Sequence, residues 1–265
     1  MTASSMNSAY MRRFNPDSVS GLVIDLDARD LTPGAVTSWT DRKSGYVLTG
    51  NATRDSQMNG YPSVTFNGST DDLRTTGNAI TQFNGIAAVT SIIIMKDTVS
   101  GTGQWWPYGL SESTAFTTNV QTWSFIPSTG PFSNQRCLFN QAYGNVGSNY
   151  RFIPQSNLLP GILSIVGDFS QPFSSETTTI RYNSTTPTVY AEPGQPPDGF
   201  SSPENTGTHG NLDIMLGRYT GGLNLGSDFA WPGSITKILA YNRRLSTEEM
   251  LYLERGMARL SGISL

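Results

Sequence analysis

The 265-residue chain has one cysteine and one histidine, and this scarcity excludes several kinds of active site. Cys137 alone allows neither an intrachain disulfide nor a zinc site made of cysteines. Any Ser-His-Asp triad would have to use His209. Charged residues make up only 14% of the chain, and no run of basic residues is longer than two. Because a nucleic-acid-binding surface needs a basic cluster, we expect no nucleic-acid partner.

Long apolar segments are also missing. The longest apolar run lies near Ile92–Met95 and has the length of a strand, so we expect no membrane insertion. The first residues, MTASSMNSAYMRRFNP, lack the apolar core of a signal peptide. This favours a chain that is intracellular at synthesis or released by another route. A virion, assembled in the cytoplasm and exposed outside the cell, fits that expectation.

Turn-forming residues are abundant, with 27 glycines and 15 prolines. This composition is typical of many short strands joined by turns. The hydrophobic fraction of 37% and the aromatic fraction of 11% are enough to fill a core. The length suits one large β domain or two small ones. Since no repeat or boundary is visible after residue 20, we predict an N-terminal arm or attachment segment (1–20) and one β-sandwich (21–265).

Alternating apolar and polar residues predict a half-buried strand over Gly21–Asp30, with Asp25 and Asp27 on its polar face. The segment 32–45 is predicted to form a turn in which Trp39 is a core anchor. The apolar run 86–96 is typical of a central strand buried on both faces. Other strands are predicted at 61–75, 161–169, 177–192, 212–219 and 233–242, with a break at Asn183-Ser184.

Helical signals are confined to the end of the chain. Ser246 and Glu249 form a capping-box pattern, Leu245 and Met250 occupy the staple positions, and Gly262 is a suitable C-terminal stop. The apolar stripe comprises Met250, Leu253, Met257 and Leu260. We expect this short helix to lie on the sandwich and to cover an open end or an edge.

Both ends of the chain resemble concanavalin A-like, laminin-G-like (LamG) jelly-roll domains of phage and bacterial surface proteins. The opening similarity lies in FNPDSVSGLVIDLDARDL, VTSWTDRKSGYVLTG and YPSVTFNGSTDDL, and the closing similarity in WPGSITKILAYNRRLSTEEMLYLERGMARLSGI. Together they bracket residues 14 to 263, although Asp25 stands where the pattern usually has an aromatic residue. The resemblance implies an all-β, two-sheet antiparallel jelly-roll sandwich with a short C-terminal helix. Relatives of this fold bind glycans, some hydrolyse them, and many assemble as trimers.

Candidate ligand-binding residues are aromatic, because aromatic rings stack on the apolar faces of sugars. GQWWPYG places two tryptophans in a Gly/Pro-rich segment, where a subunit interface is an equal alternative. Trp39, Trp123 and Trp231 are instead expected in the core. The candidate set is Trp105, Trp106, Tyr108, Tyr143 and Tyr150.

The sequence contains two aspartate pairs that could form a catalytic or a metal site. Asp25 and Asp27 would lie about 7 Å apart, which an inverting glycosidase allows. However, the Glu-x-Asp-x-x-Glu or Glu-x-Asp-x-Glu run of catalytic relatives is absent, so we expect both to be solvated or bonded to nearby backbone, and the chain not to be an enzyme. Asp71 and Asp72 are too few for a calcium site and favour a turn role.

His209 is expected on the surface of a flexible loop and Cys137 in the interior. No cofactor is expected; Asp71 and Asp72 are only weak candidates for binding calcium.

The sequence therefore predicts a non-catalytic virion surface protein: a tail fibre, spike or head (capsid) decoration that attaches to host surface glycan. Its partners would be that glycan and other virion proteins, and it would form a homo-oligomer such as a trimer. Three alternatives remain open: a purely structural capsid or tail cementing protein, a glycan hydrolase or lyase, and a secreted bacterial lectin.

Overall fold

The computed structural model describes residues 14–98, 105–111, 120–125, 137–142, 149–153, 160–168, 170, 178–184, 207–219 and 229–265. Within these ranges there are sixteen strands, one α-helix and short 3-10 segments at Pro16–Ser18, Ala28–Asp30 and Thr81–Phe83. The strands are β1 (Leu22–Asp27), β2 (Gly34–Thr40), β3 (Val47–Met58), β4 (Tyr61–Asn67), β5 (Asp72–Arg74), β6 (Ala88–Asp97), β7 (Trp105–Ser111), β8 (Val120–Phe125), β9 (Cys137–Ala142), β10 (Asn149–Ile153), β11 (Gly161–Asp168), β12 (Thr178–Tyr182), β13 (Asp213–Leu216), β14 (Arg218–Tyr219), β15 (Phe229–Ala230) and β16 (Pro232–Tyr241). The helix, α1, is Thr247–Ser261. No helix in the described ranges is long and apolar enough to span a membrane.

Fourteen of the described strands form one antiparallel sheet that curls over on itself. Its order is β10-β9-β8-β7-β13-β5-β3-β4-β16-β6-β11-β12, with β1 added to β16 and β2 added to β3. β14 and β15 pair separately. The predicted class, an all-β antiparallel sandwich with a short C-terminal helix, is confirmed.

Strand β16 shows how the sheet bends. Residues 232–235 pair with β4, residues 237–241 pair with β1, and β6 runs along the opposite edge. The register with β6 shifts between Ile235 and Lys237. Such a bulge bends a strand and increases its twist, so one strand can serve two neighbours on the same edge.

Because the sheet curls over on itself, it forms the two layers of the sandwich. One apolar core lies between these two layers, and both contribute side chains to it. Trp39 and Trp231 are fully buried there, as predicted, while the side chain of Trp123 is outside the described residues. Among the residues that share this core are Ile93, Ile165, Ile238, Leu48, Leu73, Leu110 and Ile214.

Strand β6 is buried on both faces, as its apolar sequence predicts. Ile93 belongs to the core between the layers, whereas Ile92 and Ile94 belong to a second cluster under α1. The helix contributes to that cluster with Met250, Leu253, Met257 and Ala258. It therefore covers the outer face of β6 and β11, rather than the open end or edge that we expected.

The local signals of the helix are confirmed. Ser246 Oγ accepts a hydrogen bond from the Glu249 backbone N–H, and the Glu249 carboxylate accepts one from the Ser246 N–H. Gly262 ends the helix in the left-handed conformation (φ 65°). Asn183 and Ser184 also have positive φ, and they end β12 where the sequence predicts a break.

Two expectations need correction. β1 is buried along its whole length, not half-buried. The segment predicted as a turn contains β2, which pairs with β3 and carries Trp39. Residues 14–20 of the predicted arm pack on the sandwich, because Val19 is buried in the cluster under α1 and Phe14 packs against it. The attachment role of the arm stays a prediction.

Candidate functional site

A buried ionic cluster joins the first strand of the sandwich to the last. Antiparallel pairing sets Asp27 of β1 opposite Lys237 of β16. The Lys237 ammonium donates to Asp25 Oδ1 and, over 3.1 Å, to Asp27 Oδ2. All three residues are at least nine-tenths buried. The two carboxylates therefore share one buried cation instead of facing solvent. Of the two expected roles, solvation is wrong, whereas a bond to nearby backbone is present at Asp27, whose Oδ1 accepts the Arg29 N–H over 3.0 Å.

Two arginines connect this cluster to the surface. Arg29, in the 3-10 segment after β1, donates to Asp27 Oδ1 from Nε over 2.8 Å. Arg42, in the turn after β2, donates to Asp27 Oδ2 over 2.8 Å and from Nη2 to Asp30 Oδ1 over 2.6 Å. Each guanidinium is thus held in place by carboxylates, while its side chain remains more than one-third exposed.

The pKa values of the two carboxyls shift in opposite directions. Burial would raise the pKa of Asp27, but hydrogen bonds from Arg29 and the charge of Lys237 outweigh burial and hold that pKa far below its usual value. Burial raises the pKa of Asp25 more than Lys237 lowers it. A glycosidase needs an acid and a base that reach the substrate. The side chains of Asp25 and Asp27 are only 9% and 1% exposed, and both are bound to cations, so the pair anchors the surrounding cations.

A surface cleft of about 780 Å³ opens beside the ionic cluster. In the described part of the chain, its lining combines an aromatic ring, an amide, two guanidinium groups and an aliphatic side chain. These described lining residues are Phe14, Asn15, Arg29, Arg42 and Leu260. We call this site the arginine cleft.

Glycine and an aromatic neighbour position the ring at the rim of the arginine cleft. The Phe14 ring lies directly over Gly256 of α1, where a Cβ atom would collide with it. The Tyr252 ring lies beside it, with centroids 6.1 Å apart. Asn15 is fixed as well, because its side chain accepts a hydrogen bond from the Asp17 N–H at 3.2 Å. Packing therefore positions Phe14, and a hydrogen bond positions Asn15.

Of the predicted aromatic ligand residues, Tyr108 is the one whose side chain lies in the described part of the structure. Tyr108 is 1% exposed and its hydroxyl lies 2.7 Å from that of Ser91, so it is a core residue and not a ligand contact. Trp105 and Trp106 begin β7, and Tyr150 lies in β10, but their side chains are outside the described residues. Tyr143 is wholly outside them. These four stay predictions.

Asp71 and Asp72 have separate roles. Asp71 accepts a hydrogen bond from the Asn67 N–H at 3.0 Å, which closes a turn, and Asp72 pairs with Arg74. The described residues contain no group of three or more His, Cys, Asp or Glu that could hold a metal ion. The contacts of Asp71 fit the turn role that the sequence favours.

His209 is 2% exposed, which corrects its expected place on the surface. Its backbone pairs with Ile86 and Gly85 at 2.8 Å each, and burial lowers the pKa of its imidazole to about 4. Cys137 begins β9, and its side chain is outside the described residues.

No direct signal in the sequence joins Phe14, Arg29, Arg42 and Leu260 into one site. A weak signal was present in the Asp-x-Arg spacing of Asp27 and Arg29, which allows a side chain to fold back on its neighbour. Arg42 lies in a segment that reads as a turn, and Leu260 reads as one more residue of an apolar stripe. Only the fold brings them together.

Comparison with known proteins gives a likeness of fold. No family model and no curated protein matches the chain, so the laminin-G-like resemblance stays a prediction. A solved structure of the binding domain of botulinum neurotoxin DC in complex with SialylT has a TM-score of 0.60 at 11% identity, over 90% of this chain and 52% of that chain. Trypanosoma rangeli sialidase in complex with sialic acid has a TM-score of 0.54 at 14% identity, over 92% of this chain and 34% of that chain. The chain thus spans about half or less of these proteins.

Proposed function

We propose that this chain is a non-catalytic, carbohydrate-binding β-sandwich exposed on a virion, where it attaches to glycan on the host surface. The arginine cleft is the observation that carries the proposal. Sugars present apolar C–H faces and hydroxyl groups, and the cleft offers an aromatic ring beside fixed guanidinium donors. A guanidinium has five N–H donors, so the bonds to aspartates do not exhaust either arginine.

The fold likeness supports the same proposal from another direction. The similar structures include a botulinum neurotoxin binding domain in complex with SialylT and a sialidase in complex with sialic acid. Another is of botulinum neurotoxin type C, whose cell entry depends on interaction with two ganglioside molecules. At 11–14% identity this likeness concerns the fold, and the same fold can host unrelated functions. The chemistry of the cleft is what carries the argument from fold to function.

A catalytic role is less well supported. The sialidase likeness covers 34% of that enzyme's chain. In this chain, Asp25 and Asp27 are buried around Lys237, with Asp27 held as a carboxylate. We therefore expect no release of reducing ends when the protein is incubated with bacterial polysaccharide. Release that disappears in Asp27→Asn would establish a hydrolase instead.

Glycan binding is tested with the full chain on an array of bacterial surface polysaccharides and defined oligosaccharides. The matched variants are Leu260→Trp, which fills the arginine cleft, and Leu251→Trp. Leu251 is also a half-buried leucine of α1, and nine residues of separation place it on the opposite side of the helix. We expect Leu260→Trp to abolish binding and Leu251→Trp to retain it. No binding to any glycan, with the protein tightly held in purified particles, would favour a purely structural role.

The virion location rests on composition and on the sequence resemblance. Mass spectrometry of purified particles tests it, and the expected result is recovery of the chain in stoichiometric amounts. A free, exported protein in culture supernatant would favour a secreted lectin.

A further inference from the structure

The charged groups that the structure describes around the arginine cleft have no excess of positive charge, and this bears on which saccharide the cleft takes. Among the described residues, the cluster contains three cations, Arg29, Arg42 and Lys237. They are paired with Asp25, Asp27 and Asp30. Each guanidinium already interacts with a carboxylate, and this nearby negative charge weakens its attraction for an anionic ligand.

A fourth carboxylate lies in the same cluster. Asp41 Oδ1 accepts the backbone N–H of Asp25 over 2.5 Å, and its Oδ2 accepts that of Ser44 over 2.5 Å. Burial raises the pKa of Asp25, so the cluster has at most four negative charges and at least three against its three positive ones. In neither form do these seven described groups carry a net positive charge. The whole chain carries a formal charge of −3, which adds to the repulsion of anions.

The geometry of the guanidinium groups still favours hydroxyl recognition. Arg42 is held by Asp30 through both Nε and Nη2, and by Asp27 through Nη1. A side chain fixed in this way loses little rotamer freedom when a ligand binds. Its remaining N–H groups can donate to hydroxyl oxygens without a charge on the ligand.

We infer that the arginine cleft takes an uncharged, hydroxyl-rich saccharide, with Phe14 against an apolar sugar face and the two guanidinium groups donating to hydroxyls. The inference rests on the proposed glycan-binding function and narrows it. The inferred ligand also differs from the sialic acid named for Trypanosoma rangeli sialidase, which is an acidic sugar. Asp30 acts as a selectivity residue, because its carboxylate cancels the charge of Arg42.

The test compares neutral hexose oligosaccharides with the same oligosaccharides capped by sialic or uronic acid, using calorimetry on the full chain. The native chain should prefer the neutral series, with little dependence on salt. Asp30→Asn keeps the shape of the side chain and removes one negative charge, so it should raise affinity for the acidic series about tenfold in low salt. The matched control is Asp72→Asn, which alters another aspartate–arginine pair outside the cleft and should change nothing.

The outcomes separate the two levels of the proposal. Salt-dependent preference of the native chain for the acidic series would overturn the inference but leave glycan binding intact. No binding of either series would overturn both. A gain of acidic-saccharide binding in Asp72→Asn equal to that in Asp30→Asn would show that the effect comes from overall charge and not from the cleft. If Asp30→Asn does not fold, comparing the affinities of the native chain for the neutral and the acidic series still tests whether the cleft prefers an uncharged saccharide.

Discussion

Glu254 of the closing helix accepts two hydrogen bonds from Arg181 of β12, over 3.0 Å from Nε and 3.2 Å from Nη2. A third comes from Ser164 Oγ of β11 over 2.7 Å. The Glu254 side chain is wholly buried and that of Arg181 is 7% exposed. The helix is thus attached to the outer face of the sandwich by a buried ion pair in addition to its apolar stripe.

Glu254→Gln should lower the free energy of unfolding by about 3 kcal/mol, because it leaves the Arg181 charge buried without its counter-charge. Urea denaturation at pH 7 measures this. The matched control is Glu248→Gln in the exposed first turn of the same helix, for which we expect a loss within about 0.5 kcal/mol. Equal losses for the two variants would show that the buried pair does not anchor the helix.

The helix illustrates what a sequence can specify. Ser246, Glu249 and Gly262 lie within 17 positions of one another, and each acts through local backbone contacts, so the start and end of α1 were predictable. The place of the helix on the sandwich was not predictable, because Glu254 binds Arg181, which lies 73 positions earlier in the sequence. A buried glutamate on an apolar stripe cannot be recognised until its partner is known.

The same reason explains the error in β1. Alternation assigns Asp25 and Asp27 to a solvent face, since unpaired carboxylates are almost never buried. Their partner, Lys237, lies more than 200 positions away in a strand whose pairing the sequence does not reveal. The arginine cleft could not be predicted from the sequence for the same reason. Its residues come from both ends of the chain and from two separate segments near β1 and β2.

Lys237→Met should lower the free energy of unfolding by about 3 kcal/mol at pH 7, because the buried Asp25 carboxylate loses its principal cation. The loss should shrink as the pH falls, since a raised pKa lets Asp25 become neutral. Chemical denaturation at pH 7 and pH 5 measures both effects. Adding Asp25→Asn should restore part of the lost stability.

The control for this prediction is Lys43→Met. Lys43 also pairs with an aspartate, Asp17, but their side chains are 41% and 51% exposed. Surface pairs contribute about 1 kcal/mol or less, so the change should be small. An equal loss of stability in Lys43→Met and Lys237→Met would show that burial of the Lys237 pair is not the cause of the loss.

His209 gives a direct test of burial by titration. Its pKa of about 4 lies below the ordinary value of 6.5 because burial disfavours the imidazolium. The unfolded chain therefore binds more protons between about pH 4 and 6.5, and the free energy of unfolding should fall by about 3 kcal/mol as the pH drops through that window. Since the chain has one histidine, a single imidazole NMR signal reports its titration. A midpoint at or above 6.5 would contradict the buried position.

Gly256→Ala tests how α1 shapes the arginine cleft. In an exposed helix interior this change stabilises by about 1 kcal/mol, but here the new methyl group would collide with the Phe14 ring. We expect a lower melting temperature and, since the ring must leave the rim of the cleft, saccharide binding weakened about tenfold. Arg255→Ala, at the neighbouring exposed position, should leave the melting temperature and the saccharide affinity unchanged.

Gly256→Ala combined with Phe14→Ala should regain stability without regaining binding, because the collision is removed together with the stacking surface. A more stable Gly256→Ala protein with native affinity would place Phe14 elsewhere and remove it from the site.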